Sequence, residues 1–182
     1  MNDSNSPKPV SVLFVCLGNI CRSTMAEGVF QSLVSSAPNS TSSLISSIDS
    51  CGTGAYHVGD GPDPRTMATL KAHNITTYRH KARKFHPSDF DTFDYILAMD
   101  DSNLEDLNDL RKRVYGGKKK GEQGNGRVML FGEFGGKVRR GGRGEEVQDP
   151  YYGADDGFET AYEQAVRFSR VFLERLEKGE LS

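Results

Sequence analysis

The apolar run Val10-Ser-Val-Leu-Phe-Val15 ends directly on Cys16, and Leu17-Gly-Asn-Ile-Cys-Arg22-Ser23 follows it. A short continuous apolar run of this kind reads as a strand buried on both faces of a parallel sheet. Met25, Val29 and Leu33 then recur at helical spacing, so the segment is strand–loop–helix, with the helix starting near Ser23. Ligands of a parallel sheet bind beyond the carboxyl ends of its strands. Cys16 stands at such an end.

The rest of the chain repeats the alternation. Leu44–Ser50 is a weaker strand, after a Ser/Pro/Asn/Thr loop at Ala37–Ser43, and Cys51-Gly-Thr-Gly54 turns away from it. Asp63-Pro64 is a helix start, with Asp as cap and Pro at the first helical position, and that helix runs to about His73. Tyr95–Met99 is the third strand, and Ser102-x-x-Glu105 reads as a capping box before Leu104, Leu107 and Leu110. Arg127–Phe131 is the fourth strand. Phe158, Ala161, Tyr162, Ala165, Phe168, Phe172 and Leu176 mark a long closing helix. The expected fold is α/β: a single domain, residues 10–182, with a central four-stranded parallel sheet, helices on both faces and a Rossmann-like architecture. Residues 115–146 interrupt the pattern with glycines and cations, including Lys118-Lys-Lys120 and Arg139-Arg-Gly-Gly-Arg143. They read as long mobile loops around the short fourth strand.

Composition narrows the function classes. A net charge of −2 leaves no footprint of nucleic-acid or membrane binding. Arg139–Arg143 has the look of arginine/glycine segments that contact RNA, but a solvated loop is the simpler reading, so no nucleic-acid partner is expected. The opening residues 1–9 are polar, read as a disordered tail, and lack the apolar core of a signal peptide. Cys16, Cys21 and Cys51 are an odd set, expected as free thiols in a reducing, cytoplasmic setting. They form no zinc-ligand pattern, and neither metal nor cofactor is expected.

The loop itself carries chemistry. A helix N-terminus and a neighbouring cation both favour a thiolate over a thiol, and Cys16 is placed to receive both from the helix near Ser23 and from Arg22. The amides of residues 17–22 can converge on an anion. Gly18 and Asn19 are residues that tolerate the positive φ of a tight loop. Arg22 can meet two phosphate oxygens at once, and the Ser23 hydroxyl can hydrogen-bond the sulfur. The reading is a phosphomonoesterase with a cysteine nucleophile. Expelling an alkoxide or phenoxide needs a general acid. Asp149, in Gln148-Asp-Pro-Tyr-Tyr152, is the candidate, with two flat tyrosine walls beside it. Taken alone, that segment is also an ordinary turn with half-buried tyrosines. Cys21 is a small loop residue or the partner of Cys16 in a reversible disulfide. Arsenate reduction on a similar loop would need further relay cysteines, and none lies beyond Cys51.

Cys16-Leu-Gly-Asn-Ile-Cys-Arg-Ser23 together with Asp149-Pro-Tyr-Tyr152 resembles the low molecular weight protein tyrosine phosphatases. The likeness extends through Asp63-Pro64-Arg65, His80-Lys-Ala-Arg83, Asp94–Asp100, Ser102-Asn-Leu104 and the closing helix. It implies Cys16 as nucleophile forming a cysteinyl-phosphate, Arg22 and the loop Leu17, Gly18, Asn19, Ile20, Cys21 and Ser23 as phosphate binders, and Asp149 as acid and then base. It implies Asn19, Ser50 and His80 as a polar network holding the loop, where residue pattern alone leaves His80 a surface histidine. Asp100 becomes a loop-supporting carboxylate or a plain helix cap. Tyr56, Tyr151 and Tyr152 would line the pocket, with His57 at its variable rim. The implied substrates are phosphotyrosine proteins and small aryl phosphates, the latter turned over at mildly acidic pH as an acid phosphatase. Inorganic phosphate is the product, and no metal is needed. Against that pattern, the glycine-rich basic stretch before Asp149 is an insertion.

Overall fold

The computed structural model describes residues 7–119, 121–154 and 156–181. Residues 1–6 of the expected tail lie outside them, and residues 7–9 are exposed. Strand β1 (Val10–Cys16) uses the apolar run on both faces: Val12, Phe14 and Cys16 enter one core, and Leu13 and Val15 enter the other. It is flanked by β2 (Ile45–Gly52) and β3 (Tyr95–Ala98), and β4 (Arg127–Leu130) extends the sheet beyond β3. The order is β2-β1-β3-β4 and every pairing is parallel. The chain goes to one side of β1 for β2 and crosses to the other for β3. The order therefore reverses between β1 and β3, and a crevice opens there at the strand carboxyl ends.

Helix α1 (Arg22–Ser36) returns from Cys16 across the sheet, with every residue from Arg22 to Phe30 buried. It packs with α3 (Pro64–Ala72) and α6 (Asp156–Glu177). Aromatic edges fill that core: Phe14 meets Phe30 at 5.4 Å and Phe131 at 5.1 Å, and Phe172 meets Phe30, Tyr95 and Phe134. These edge-to-face geometries suit ring quadrupoles as well as burying area. On the opposite face α5 (Asp101–Tyr115) covers Leu13, Val15, Ile96 and Ala98 through Leu107. Two short helices, α2 (Asn39–Ser42) and α4 (Asp89–Thr92), sit in segments whose length and polarity give no periodic signal.

Two readings need correcting. The cap of α5 is Asp100, whose carboxylate accepts from Asn103 N–H at 2.8 Å; Ser102 and Glu105 lie inside the helix and exposed. An aspartate caps as well as a serine, and Asp100 has a second reason to be fixed there, described below. The stretch 127–147 is not a loose loop. Phe131 and Phe134 are fully buried, a 3₁₀ turn spans Glu133–Gly135, and Arg167 clamps Glu145 through both guanidinium nitrogens. Arg139 grips Asp101 in the same two-pronged way, at 2.8 and 3.0 Å, and Arg143 approaches Asp101 at 3.4 Å. Two of the arginines in Arg139–Arg143 are thus held by carboxylates of the fold. Residues 116–119 are exposed, without regular structure.

Candidate active site

Past Cys16 the chain turns sharply before α1. Asn19, 1% exposed, carries the left-handed conformation at φ 58°, which asparagine tolerates better than most residues. Gly18 does not adopt a positive φ. Its missing side chain leaves room for the His57 ring, 3.1 Å from where a Cβ would stand. Gly52 is needed for a similar reason: a Cβ there would lie 2.5 Å from the Leu17 carbonyl oxygen. Among the described residues, the N–H groups of Leu17, Gly18, Ile20 and Cys21 have no acceptor within the chain. Unpaired donors gathered in one tight loop, ahead of a helix N-terminus, form an anion cradle.

The Asn19 side chain sets the direction of every hydrogen behind this loop. Its oxygen accepts from Arg83 N–H at 3.0 Å and from His80 Nε2 at 2.8 Å. A backbone N–H can only donate, so the amide cannot be turned round. Asn19 Nδ2 therefore donates to the hydroxyls of Ser23 and Ser50, each at 2.9 Å. With that bond received, Ser23 is free to give its own hydrogen to the Cys16 sulfur 3.0 Å away, and Asn19 N–H points at the same sulfur at 3.3 Å. Ser50 passes its hydrogen on to Glu27 at 2.8 Å.

Arg22 is 4% exposed. It donates to Asp100 at 2.5 Å and to the Val147 carbonyl at 3.2 Å, and its other terminal nitrogen lies 3.7 Å from Asp149. Burial draws the guanidinium pKa down, but Cys16, Asp100 and Asp149 outweigh it, so the pKa stands above its ordinary value. Asp100 serves twice: one oxygen caps α5 and the other holds Arg22. Cys16, Leu17, Gly18, Ile20, Cys21, Arg22, Tyr56, His57, Asp149, Tyr151 and Tyr152 line one cavity of about 400 Å³. Cys16 is 3% exposed, whereas Tyr56 and Tyr152 stand far out at 77% and 92%. Ser23, Asn19, Ser50 and His80 lie behind the loop, and Asp100 lies behind Arg22.

The sequence model of the family "Low molecular weight phosphotyrosine protein phosphatase" matches residues 11–181. The chain belongs to that family. The relative of that name from Schizosaccharomyces pombe is 50% identical over 169 residues, covering 93% of this chain and 98% of its own. Among solved structures, a protein tyrosine phosphatase from Entamoeba histolytica with Hepes in the active site superposes with a TM-score of 0.74. It shares 30% identity and covers 94% of this chain and 99% of its own. A Drosophila protein described as an arginine phosphatase gives a TM-score of 0.76 at 33% identity, covering 90% and 96%.

Within this phosphatase family fold, several site residues escape a reading of motifs. Glu27 is buried one helical turn after Ser23, where it accepts from Ser50 and from Tyr78. An acidic residue set among Met25, Ala26, Val29 and Phe30 of the first helix was the available signal. Arg65 donates to Asp63 and to the Tyr151 carbonyl, and its guanidinium lies over the rings of Tyr151 and Phe158. It ties the Asp149–Tyr152 segment to the start of α3. Burial pushes the Cys21 thiol up to about 12, aided by Asp63, which makes Cys21 a neutral wall of the cavity.

Burial also pushes Glu27 up to about 7, against the hydrogen bonds from Tyr78 and Ser50, while burial pulls His80 down despite Asp49. Glu27 and His80 Nδ1 lie 3.3 Å apart, a contact that one shared proton satisfies. Between the unfolded value of 4.5 and about 7, the folded chain keeps a proton on Glu27 that the unfolded chain has lost. Stability from this group therefore falls as pH rises through that window. His80, lowered, opposes it below its own unfolded value of 6.5. Urea unfolding at pH 5 and pH 8 should show the wild type losing on the order of 2 kcal/mol more across the interval than Glu27→Gln does. Parallel pH profiles would exclude Glu27 as the titrating group.

Proposed function

We propose that this protein hydrolyses phosphotyrosine and small aryl phosphate monoesters through a cysteinyl-phosphate. The observation that carries the reading is the convergence, in one cavity, of a buried sulfur, a ring of unpaired amides, Arg22 and Asp149. The phosphoryl group enters with its oxygens toward the loop amides and Arg22, which stabilise charge on those oxygens as it redistributes. Cys16 sulfur attacks phosphorus as the P–O bond to the leaving group breaks. Asp149, protonated, delivers its proton to that oxygen. The resulting carboxylate takes a proton from water as the water oxygen attacks phosphorus and the S–P bond breaks, releasing inorganic phosphate. The hydrogen bond from Ser23 eases departure of the sulfur. Tyr56, Tyr151 and Tyr152 offer flat walls to an aromatic ring at the mouth, and the depth of the sulfur below them suits an aryl ester better than a short serine ester. Three free thiols fit a reducing compartment, which supports a cytoplasmic setting.

The test is a substrate panel of phosphotyrosine, phosphoserine, phosphoarginine and aryl phosphates with leaving groups of graded acidity. Phosphoarginine is included because the similar Drosophila protein is described as an arginine phosphatase. Phosphotyrosine should be the preferred amino-acid ester. In Asp149→Ala, poor leaving groups should slow by ~10²–10⁴-fold and activated ones much less, and the alkaline limb of the pH profile should flatten. Equal slowing across the series would remove Asp149 from the acid role, and preference for phosphoserine would remove the tyrosine reading.

A further inference from the structure

The catalytic cavity does not end at its aromatic rim. Leu17 and Tyr56, which form part of its wall, are also walls of a second groove of about 750 Å³ on their far side. That groove runs between the end of β2, Lys84–Phe85 and α5. Its floor includes Phe85 and Leu107, both buried, and Thr53, whose hydroxyl oxygen is buried with no hydrogen-bond partner among the described residues. Its rim carries Lys84, Lys112 and Arg113, exposed and with no side-chain partner among the described residues. Asp106 and Asp109 stand in the same lining, so three cations face two carboxylates.

An aryl phosphate fills the first cavity and has nothing to place in the second. A polypeptide does. Once its phosphotyrosine ring is between Tyr56 and Tyr151, the adjoining backbone must leave over the rim. Leu17 and Tyr56 form a shared ridge leading into the groove. Unpaired surface cations suit acidic side chains. Arg139 and Arg143 of the glycine-rich segment are poorer candidates, because both are already paired with Asp101.

We propose that this second groove is a subsite for the polypeptide flanking the phosphotyrosine, and that it prefers acidic residues there. The proposal rests on the phosphotyrosine reading above, and it goes further by assigning sequence preference to residues outside the catalytic cavity.

The test compares p-nitrophenyl phosphate, an alanine-flanked phosphotyrosine peptide and an acid-flanked one, with acidic residues placed on either side in turn. The variant is Lys84→Glu/Arg113→Glu. A control, Lys71→Glu/Arg170→Glu, reverses the same charge on α3 and α6. The expected result is a roughly ten-fold loss of kcat/KM for one acid-flanked peptide, carried by KM, in the groove variant only. p-Nitrophenyl phosphate turnover should barely move, which also reports that the variant is folded. Equal losses on all three substrates, or the same loss in the control, would overturn the subsite by assigning the effect to net charge. No loss on either acid-flanked peptide would overturn it as well. A wild type that cleaves p-nitrophenyl phosphate and ignores every peptide would instead overturn the phosphotyrosine reading beneath it.

Discussion

Cys16→Ser should reduce turnover of every phosphate ester to background, a loss of ~10⁴-fold or more, while leaving the fold and the anion cradle intact. The substitution exchanges sulfur for oxygen at a position enclosed by Ser23 Oγ at 3.0 Å and Asn19 N at 3.3 Å. A hydroxyl is close enough in size to be accepted there, and the donors that would bind phosphate oxygens belong to other residues. An alcohol, however, gives up its proton far less readily than a thiol, and no base stands beside it to take the proton: Asn19 and Ser23 are both engaged as donors toward this atom. The nucleophile is lost and the binding site is kept. The measurements are initial rates on p-nitrophenyl phosphate, with calorimetric titration of inorganic phosphate or vanadate. Retained anion binding with absent turnover is the expected pair. Residual turnover within ten-fold of wild type would move the nucleophile elsewhere, and loss of both binding and turnover would make Cys16 a structural residue.

How much of this was legible in the residues depends on the range of the interaction concerned. β1 announced itself because every residue from Val12 to Val15 is buried, one face after the other. The long closing helix did so because its apolar stripe repeats for 22 residues. The start of α5 offers two competent caps, the Ser102 box and Asp100 as a plain helix cap, and only Asp100 serves. What decides between them is Arg22, 78 residues earlier, which fixes Asp100 in place. Gly18 and Asn19 both tolerate positive φ, but in the five-residue loop only Asn19 adopts it, while the missing side chain of Gly18 leaves room for His57. Arg139 looked like a free cation because its partner, Asp101, lies 38 residues away at the start of another helix. The buried hydrogen-bond network that links Arg83 and His80, Asn19, Ser23 of α1 and Ser50 of β2 joins four separate segments. No local pattern of polarity distinguishes its members from surface residues.

Arg22, held from behind by Asp100 and the Val147 carbonyl, is the second position where a large effect is expected. Arg22→Lys should lower kcat/KM by ~10²–10³-fold. A lysine can neutralise Asp100 but cannot bridge two phosphate oxygens while remaining bonded behind to Asp100 and the Val147 carbonyl. Arg22→Ala should match or exceed that loss and add a penalty in stability. Asp100 keeps its cap to Asn103 but loses its charge partner, and the Val147 carbonyl loses a donor. Breaking a fully buried pair costs ~3–5 kcal/mol. Asp100, with 23% of its side chain exposed, is partly hydrated, and about 2 kcal/mol is the expected figure. Asp100→Asn separates the two duties of the carboxylate. The amide oxygen can still cap α5, but its NH2 then faces the Arg22 donors and the buried guanidinium loses its counter-charge, so stability should fall by about 2 kcal/mol while activity falls through kcat. Combining Asp100→Asn with Arg22→Lys should then cost less than the sum of the two, because each change already loosens the same guanidinium contact. Additive losses in the double variant would show that Asp100 acts on catalysis by some route other than Arg22. A lysine variant with wild-type kcat/KM would show that a single positive charge is all the phosphoryl group requires.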